Sequence, residues 1–103
     1  MKKYVENAGS CIVTKSILNG ETKFRWLFRE EPLNNIDTGW MAFGDSDNDE
    51  YVNDPKNLTV VDLNTLINIE PTILNVYEMP VGTDLIFIEE DGEKYFINAK
   101  IIK

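Results

Sequence analysis

Between Phe24 and Glu30 the chain reads Phe-Arg-Trp-Leu-Phe-Arg-Glu, so that Phe24, Trp26 and Phe28 recur at every second residue. Only an extended strand brings such a set to one side, because successive side chains of a strand point to opposite faces. The segment predicts a strand whose aromatic face, Trp26 included, lies in the core, with Arg25 and Arg29 on the other face. Glu31-Pro32 ends it. A lone strand is not stable in water, so the rest of the chain must complete a sheet.

Other segments supply it. Ser10-Cys11-Ile12-Val13-Thr14 is rich in β-branched residues and reads as a short strand, separated from the aromatic one by the turn signal Asn19-Gly20. Asn34, Asn35, Asp37 and Gly39 mark a loop, and Trp40-Met41-Ala42-Phe43, closed by Gly44, reads as a third strand. Asp54-Pro55-Lys56-Asn57 fits a β-turn with proline at its second position, and Leu58-Thr59-Val60-Val61 is a short extended segment.

Two helices follow. Asp62 can cap the first by accepting backbone N–H bonds, and Leu63, Leu66 and Ile67 fall at helical spacing. Pro71 suits the first turn of the second, with Ile73, Leu74 and Tyr77 as its apolar stripe and Pro80 and Gly82 as its stop. Leu85 to Glu90 then runs into Asp91-Gly92, the signature of a type I′ hairpin turn, and Glu93 to Ala99 returns, with Ile101-Ile102 expected to extend it. Strands, then helices, then a hairpin, without βαβ alternation, predict an α+β fold. Its sheet is mainly antiparallel, with two short helices and a C-terminal β-hairpin. At 103 residues and 43% hydrophobic content the chain is one domain, 1–103, with a single core.

Several chemistries are excluded. Histidine is absent and Cys11 is the single cysteine, which removes nucleophile–histidine pairs, imidazole or multi-thiolate zinc sites and an internal disulfide. No stretch approaches the roughly 20 apolar residues of a membrane helix, and Met1-Lys2-Lys3-Tyr4-Val5-Glu6-Asn7 has no apolar run behind its lysines. The expectation is a cytoplasmic protein without a membrane partner. Cys11 lies in an apolar strand and reads as an inert core thiol.

The net charge of −8 is unevenly spread. Residues 1–29 carry six basic and two acidic side chains, whereas 30–55 contain no lysine or arginine and eight acidic residues. A run of this kind is a solubilising loop or a patch that steers a basic partner, and it repels nucleic acid. The Asp45–Asp54 segment is expected to be exposed and to contribute little to folding, because burying its carboxylates together costs desolvation and repulsion. Asp45-Ser46-Asp47-Asn48-Asp49-Glu50 begins like a calcium loop, but the sixth position is Glu50 rather than glycine and the twelfth is Lys56 rather than glutamate. The expectation is no metal and no cofactor. Trp40 follows a glycine at the edge of the loop region, and its place, core or interface, is open. Tyr51 between Glu50 and Val52 reads either as a binding anchor or as a tyrosine that pins its own loop.

One resemblance sharpens this. Cys11-Ile12-Val13-Thr14-Lys15, Arg29-Glu30-Glu31-Pro32, Gly39-Trp40-Met41-Ala42-Phe43-Gly44-Asp45, Asp49-Glu50-Tyr51 with Asp54-Pro55-Lys56-Asn57, and Leu63-Asn64-Thr65-Leu66 with Ile69-Glu70-Pro71 occur in this order. Together they resemble the bacterial immunity-protein family numbered thirty-three, also filed as a domain of unknown function. The resemblance implies a small cytoplasmic, non-enzymatic protein that binds and neutralises a cognate toxin. The charge adds the expectation of a basic toxin surface, such as that of a nuclease domain, met by Asp45, Asp47, Asp49, Glu50 and Tyr51. An interaction or regulatory module with another cellular protein, and a carboxylate-based enzyme, stay open beside it.

Overall fold

In the computed structural model, which describes residues 1–101, Ser10–Thr14 forms β1, Lys15–Leu18 the single turn α1, Phe24–Arg29 β2 and Asp37–Gly44 β3. Asp49–Val52 forms α2, Leu58–Asp62 β4, Leu63–Ile69 α3, Asp84–Glu90 β5 and Glu93–Asn98 β6. Pro55–Asn57, Pro71–Asn75 and Ala99–Ile101 are 3-10 turns. The strands make one mixed sheet in the order β4-β1-β3-β2-β5-β6. β1 and β3 run parallel; every other pairing is antiparallel. The architecture is the expected α+β one, mainly antiparallel and ending in a β5–β6 hairpin. Asp91 and Gly92 join that hairpin at φ 51° and 80°, the two positive values that a type I′ turn requires.

The helices differ in detail from the expectation. α3 begins where predicted, with the Asp62 carboxylate accepting the Asn64 N–H at 2.8 Å. The segment after Pro71 closes as a 3-10 turn, which buries Ile73 but leaves Leu74 exposed. α1 and α2 were not expected, since four residues are too few to show a helical period. β3 starts at Asp37, not Trp40, and takes in residues read as loop. Gly39 allows this: its φ is 86°, and a side chain there would collide with the Glu30 carbonyl. Ala99–Ile101 turns instead of extending β6, and Ile102 lies outside the described residues.

The core lies on one face of the sheet. Cys11 and Val13 of β1, Trp40 and Ala42 of β3, Leu27 of β2, and Leu85 and Phe87 of β5 meet Leu63, Leu66 and Ile67 of α3. Buried Asn64 ties the N-terminal segment over this layer. Its Oδ1 accepts the Tyr4 and Val5 N–H groups at 2.8 and 3.0 Å, and its Nδ2 donates to the Val5 carbonyl at 2.9 Å.

A β-bulge corrects the assignment of the two tryptophans. Phe24 pairs with Gly44 and Trp26 with Phe43, so β2 advances two residues while β3 advances one, and Arg25 is the extra residue. The bulge breaks the period of two. Phe24 and Leu27 face the core, while Trp26 turns outward and is 37% exposed, contrary to the expectation that it is buried. Trp40 is the core tryptophan at 1% exposure, its indole N–H donating to the Tyr77 carbonyl at 2.8 Å. The face opposite α3 is thereby apolar as well. Strand pairing aligns Val60, Ile12, Met41 and Phe28 in one row. Phe43, Trp26, Ile86 and Ile97 form a second.

Candidate partner-binding site

The acidic segment is built in two halves. The first is structural. The Asp45 N–H donates to the Lys23 carbonyl at 2.8 Å, and its Oδ1 accepts the Arg25 Nε–H at 3.0 Å. Asp47 is half-buried, and both of its oxygens are taken. Ser16 Oγ donates to Oδ1 at 2.6 Å, and the Gly44 N–H donates to Oδ2 at 2.6 Å. The expectation that this whole stretch is exposed and idle in folding therefore fails at Asp47, whose carboxylate fastens the end of β3 to α1. Gly44 shares the constraint, because a side chain there would strike Thr22.

The second half is a solvent-facing ridge. Asn48 caps α2, its Oδ1 accepting the Tyr51 N–H at 2.8 Å, and Asn57 Nδ2 donates to the Tyr51 carbonyl at 2.9 Å. The tyrosine backbone thus pins the loop and leaves its ring to line a polar cleft of about 390 Å³ with Ser16, Glu21, Asp47, Glu50 and Asp54. On the other flank of α2, Asp49 and Val52 border an apolar trough of about 640 Å³ floored by Trp26, Phe28, Phe43 and Ile86.

The five residues singled out from sequence thus have different places. Glu50 and Tyr51 line the cleft, Asp49 lines the trough, and Asp47 borders both. Asp45 lines neither and pairs with Arg25. The ion pairs among the described residues are Lys3–Glu6, Arg25–Asp45 and Lys94–Glu70, so Asp49, Glu50, Asp54 and Glu21 have no basic side chain within ion-pair distance there. Uncompensated carboxylates around one helical turn create a negative potential that reaches into solvent. Among the described residues no group of three or more Asp, Glu or Cys side chains is arranged to hold a metal ion. None of their helices is long and apolar enough to cross a membrane.

Two titratable groups are shifted, both away from this ridge. Burial, reinforced by Asp62 and Asp37, pushes the Cys11 thiol up to about 12. Glu70, 7% exposed, went unnoticed in the sequence as a functional group. Burial there opposes the charge, but hydrogen bonds from the Thr72 hydroxyl (2.6 Å), the Thr72 N–H (3.1 Å) and Lys94 Nζ (3.2 Å) outweigh it, and the carboxyl titrates below its ordinary value. The signal that could have found it is Glu70-Pro71-Thr72, a carboxylate preceding a proline at the start of a turn, which is a capping arrangement.

The Arg29-Glu30-Glu31-Pro32 and Gly39-Trp40 blocks meet in space. The Glu30 N–H donates to the Gly39 carbonyl at 2.8 Å, Arg29 Nε donates to the Thr38 carbonyl at 2.8 Å, and Arg29 Nη1 donates to the Met79 carbonyl at 2.7 Å. These blocks hold the sheet together at the end of β2. A family model described as the immunity protein Imm33 domain matches residues 11–98. No curated protein and no solved structure matches the chain.

Proposed function

The chain belongs to the Imm33 immunity-protein family, and from that premise we propose that it neutralises a cognate toxin by binding it, without catalysis, in the cytoplasm of the cell that it protects. The toxin surface it meets is basic, as that of a nuclease domain is. The observation that carries this reading is the α2 ridge, where Asp49 and Glu50, with Asp54 and Glu21 nearby, have no lysine or arginine of the described chain within ion-pair distance. Opposite charge speeds encounter, and speed matters to a protein that must intercept a toxin before it acts. Tyr51 adds an aromatic side chain of the kind that anchors interfaces.

The test is capture of the partner from cell extract with tagged protein, then co-expression with the captured toxin and kinetics on the purified pair. Asp49→Lys with Glu50→Lys should lower the on-rate and abolish protection, while Tyr51→Ala acts mainly on the off-rate. Association of the wild type should slow steeply as the Debye length shrinks from about 30 Å at 0.01 M salt to about 8 Å at 0.15 M. A charge-reversed protein that protects cells and binds with unchanged kinetics would sink the proposal.

A further inference from the structure

An antiparallel sheet with one solvated face ordinarily carries polar side chains on that face. Here the face opposite α3 is apolar, with Trp26 37% exposed at its centre and Val60 65% exposed at its β4 edge. Contiguous exposed apolar area of this kind marks an interaction surface. Part of it lines the trough beside α2, where the Phe28 and Phe43 rings meet edge to face at 5.0 Å and Trp26 and Val52 line the same trough. The rim is of one sign among the described residues: Glu30, Asp47, Asp49 and Asp84 border the trough, and no described lysine or arginine does.

We propose that this trough is the docking site for a segment of the toxin that carries apolar side chains between lysines or arginines. The inference rests on the toxin-binding reading above and names the chemistry of the segment bound. Trp26, Phe28 and Phe43 take the apolar side chains; Glu30, Asp49 and Asp84 receive the flanking cations. Charge decides against a second copy of this chain, because face-to-face pairing would press two acidic rims together on molecules that each carry −8. The polar cleft and the trough flank α2 and both reach Asp47, so one partner can cover the ridge and the trough together.

A nitrogen-15 NMR titration of the full chain tests this, with a synthetic peptide of Leu-Phe-Leu flanked by paired lysines as the probe. The two indole N–H signals separate the faces: Trp26 should move on titration and buried Trp40 should not. Trp26→Ser and, separately, Asp49→Lys should each weaken binding about tenfold or more, with circular dichroism unchanged. The proposal is overturned by an unmoved Trp26 signal. Equal binding of a peptide with serines at its centre, or with glutamates at its ends, overturns it too. A dimer in sedimentation that Trp26→Ser dissolves makes the occupant a second copy. That result overturns the proposal. In the co-expression assay, protection lost on reversing Asp49 and Glu50 but kept by Trp26→Ser removes the trough and leaves toxin binding standing. If both variants protect as the wild type does, both readings fall.

Discussion

The Arg29 guanidinium lies over the Trp40 ring, 5.5 Å from its centroid, while its nitrogens reach the Thr38 and Met79 carbonyls. One side chain thus joins β2, β3 and the segment before β5. Lysine cannot reproduce a planar group that stacks and forks at once. Arg29→Lys should cost about 1–3 kcal/mol in urea unfolding, and Trp40→Ala about 3–5 kcal/mol, enough to threaten folding in a domain of this size. Arg25→Lys is the control and should cost less, since the Arg25 guanidinium reaches the exposed Asp45 carboxylate and the Phe87 carbonyl without the stacking on Trp40.

Asp47 and Asp49 are two residues apart and should behave oppositely. In Asp47→Asn the amide oxygen can still accept the Gly44 N–H and the amide nitrogen can donate to the Ser16 hydroxyl, but both bonds lose the charge that strengthens them. Thermal unfolding should show a loss of about 1–3 kcal/mol, the difference between charged and neutral hydrogen bonds at two contacts. Asp49→Asn, on the exposed ridge, should leave the midpoint unchanged or raise it slightly by relieving repulsion. Equal effects would show that the split between brace and ridge is wrong.

These two aspartates also show where the sequence stopped being legible. The hairpin, the Asp62 cap and the strand positions follow from turn chemistry and local period, which short segments carry within themselves. The exposure of Trp26 does not, because a bulge at Arg25 is set by pairing with Gly44 and Phe43, eighteen or so residues away, and it inverts every face assignment beyond it. Asp47 looked like any other acidic loop residue, since its partner Ser16 sits in a helical turn too short to predict. Charge located the acidic segment, but which carboxylates are spent on folding is a tertiary fact.

Glu70 gives the protein an acid-sensitive clasp between the Pro71–Asn75 turn and β6. Its folded pKa is depressed, so its contribution is fully present above the unfolded glutamate value of about 4.3 and is lost as pH falls through the lower folded value. Stability measured from neutral pH downward should decline across that window. Glu70→Gln should flatten this part of the profile while lowering stability at pH 7. A wild-type slope retained in the variant would assign the acid sensitivity to other carboxylates.

Cys11 titrates in the opposite sense. A thiol held at about 12 stays protonated at neutral pH, so alkylation of the native protein should be far slower than that of the protein in urea. Because the folded value lies above the unfolded one, the thiol's contribution is present below about 8.5 and is lost as pH rises toward 12. Cys11→Ala should reduce the alkaline destabilisation, at the cost of a small cavity. Rapid modification of the native thiol at pH 7 would contradict its burial.

β1, the first strand made, ends in the interior of the sheet between β4 and β3. During synthesis it therefore waits: β3 cannot be offered to it before Gly44, nor β4 before Asp62, and the hairpin that completes the other side comes later still. Pairings between such distant segments close large loops and are slow to form. Residues 10–69 can already assemble the block β4-β1-β3-β2 under α3, but β2 then keeps an open edge until β5 arrives to pair with it. An unfinished chain is therefore exposed at the strand that carries Trp26, where unpaired backbone invites association with its neighbours.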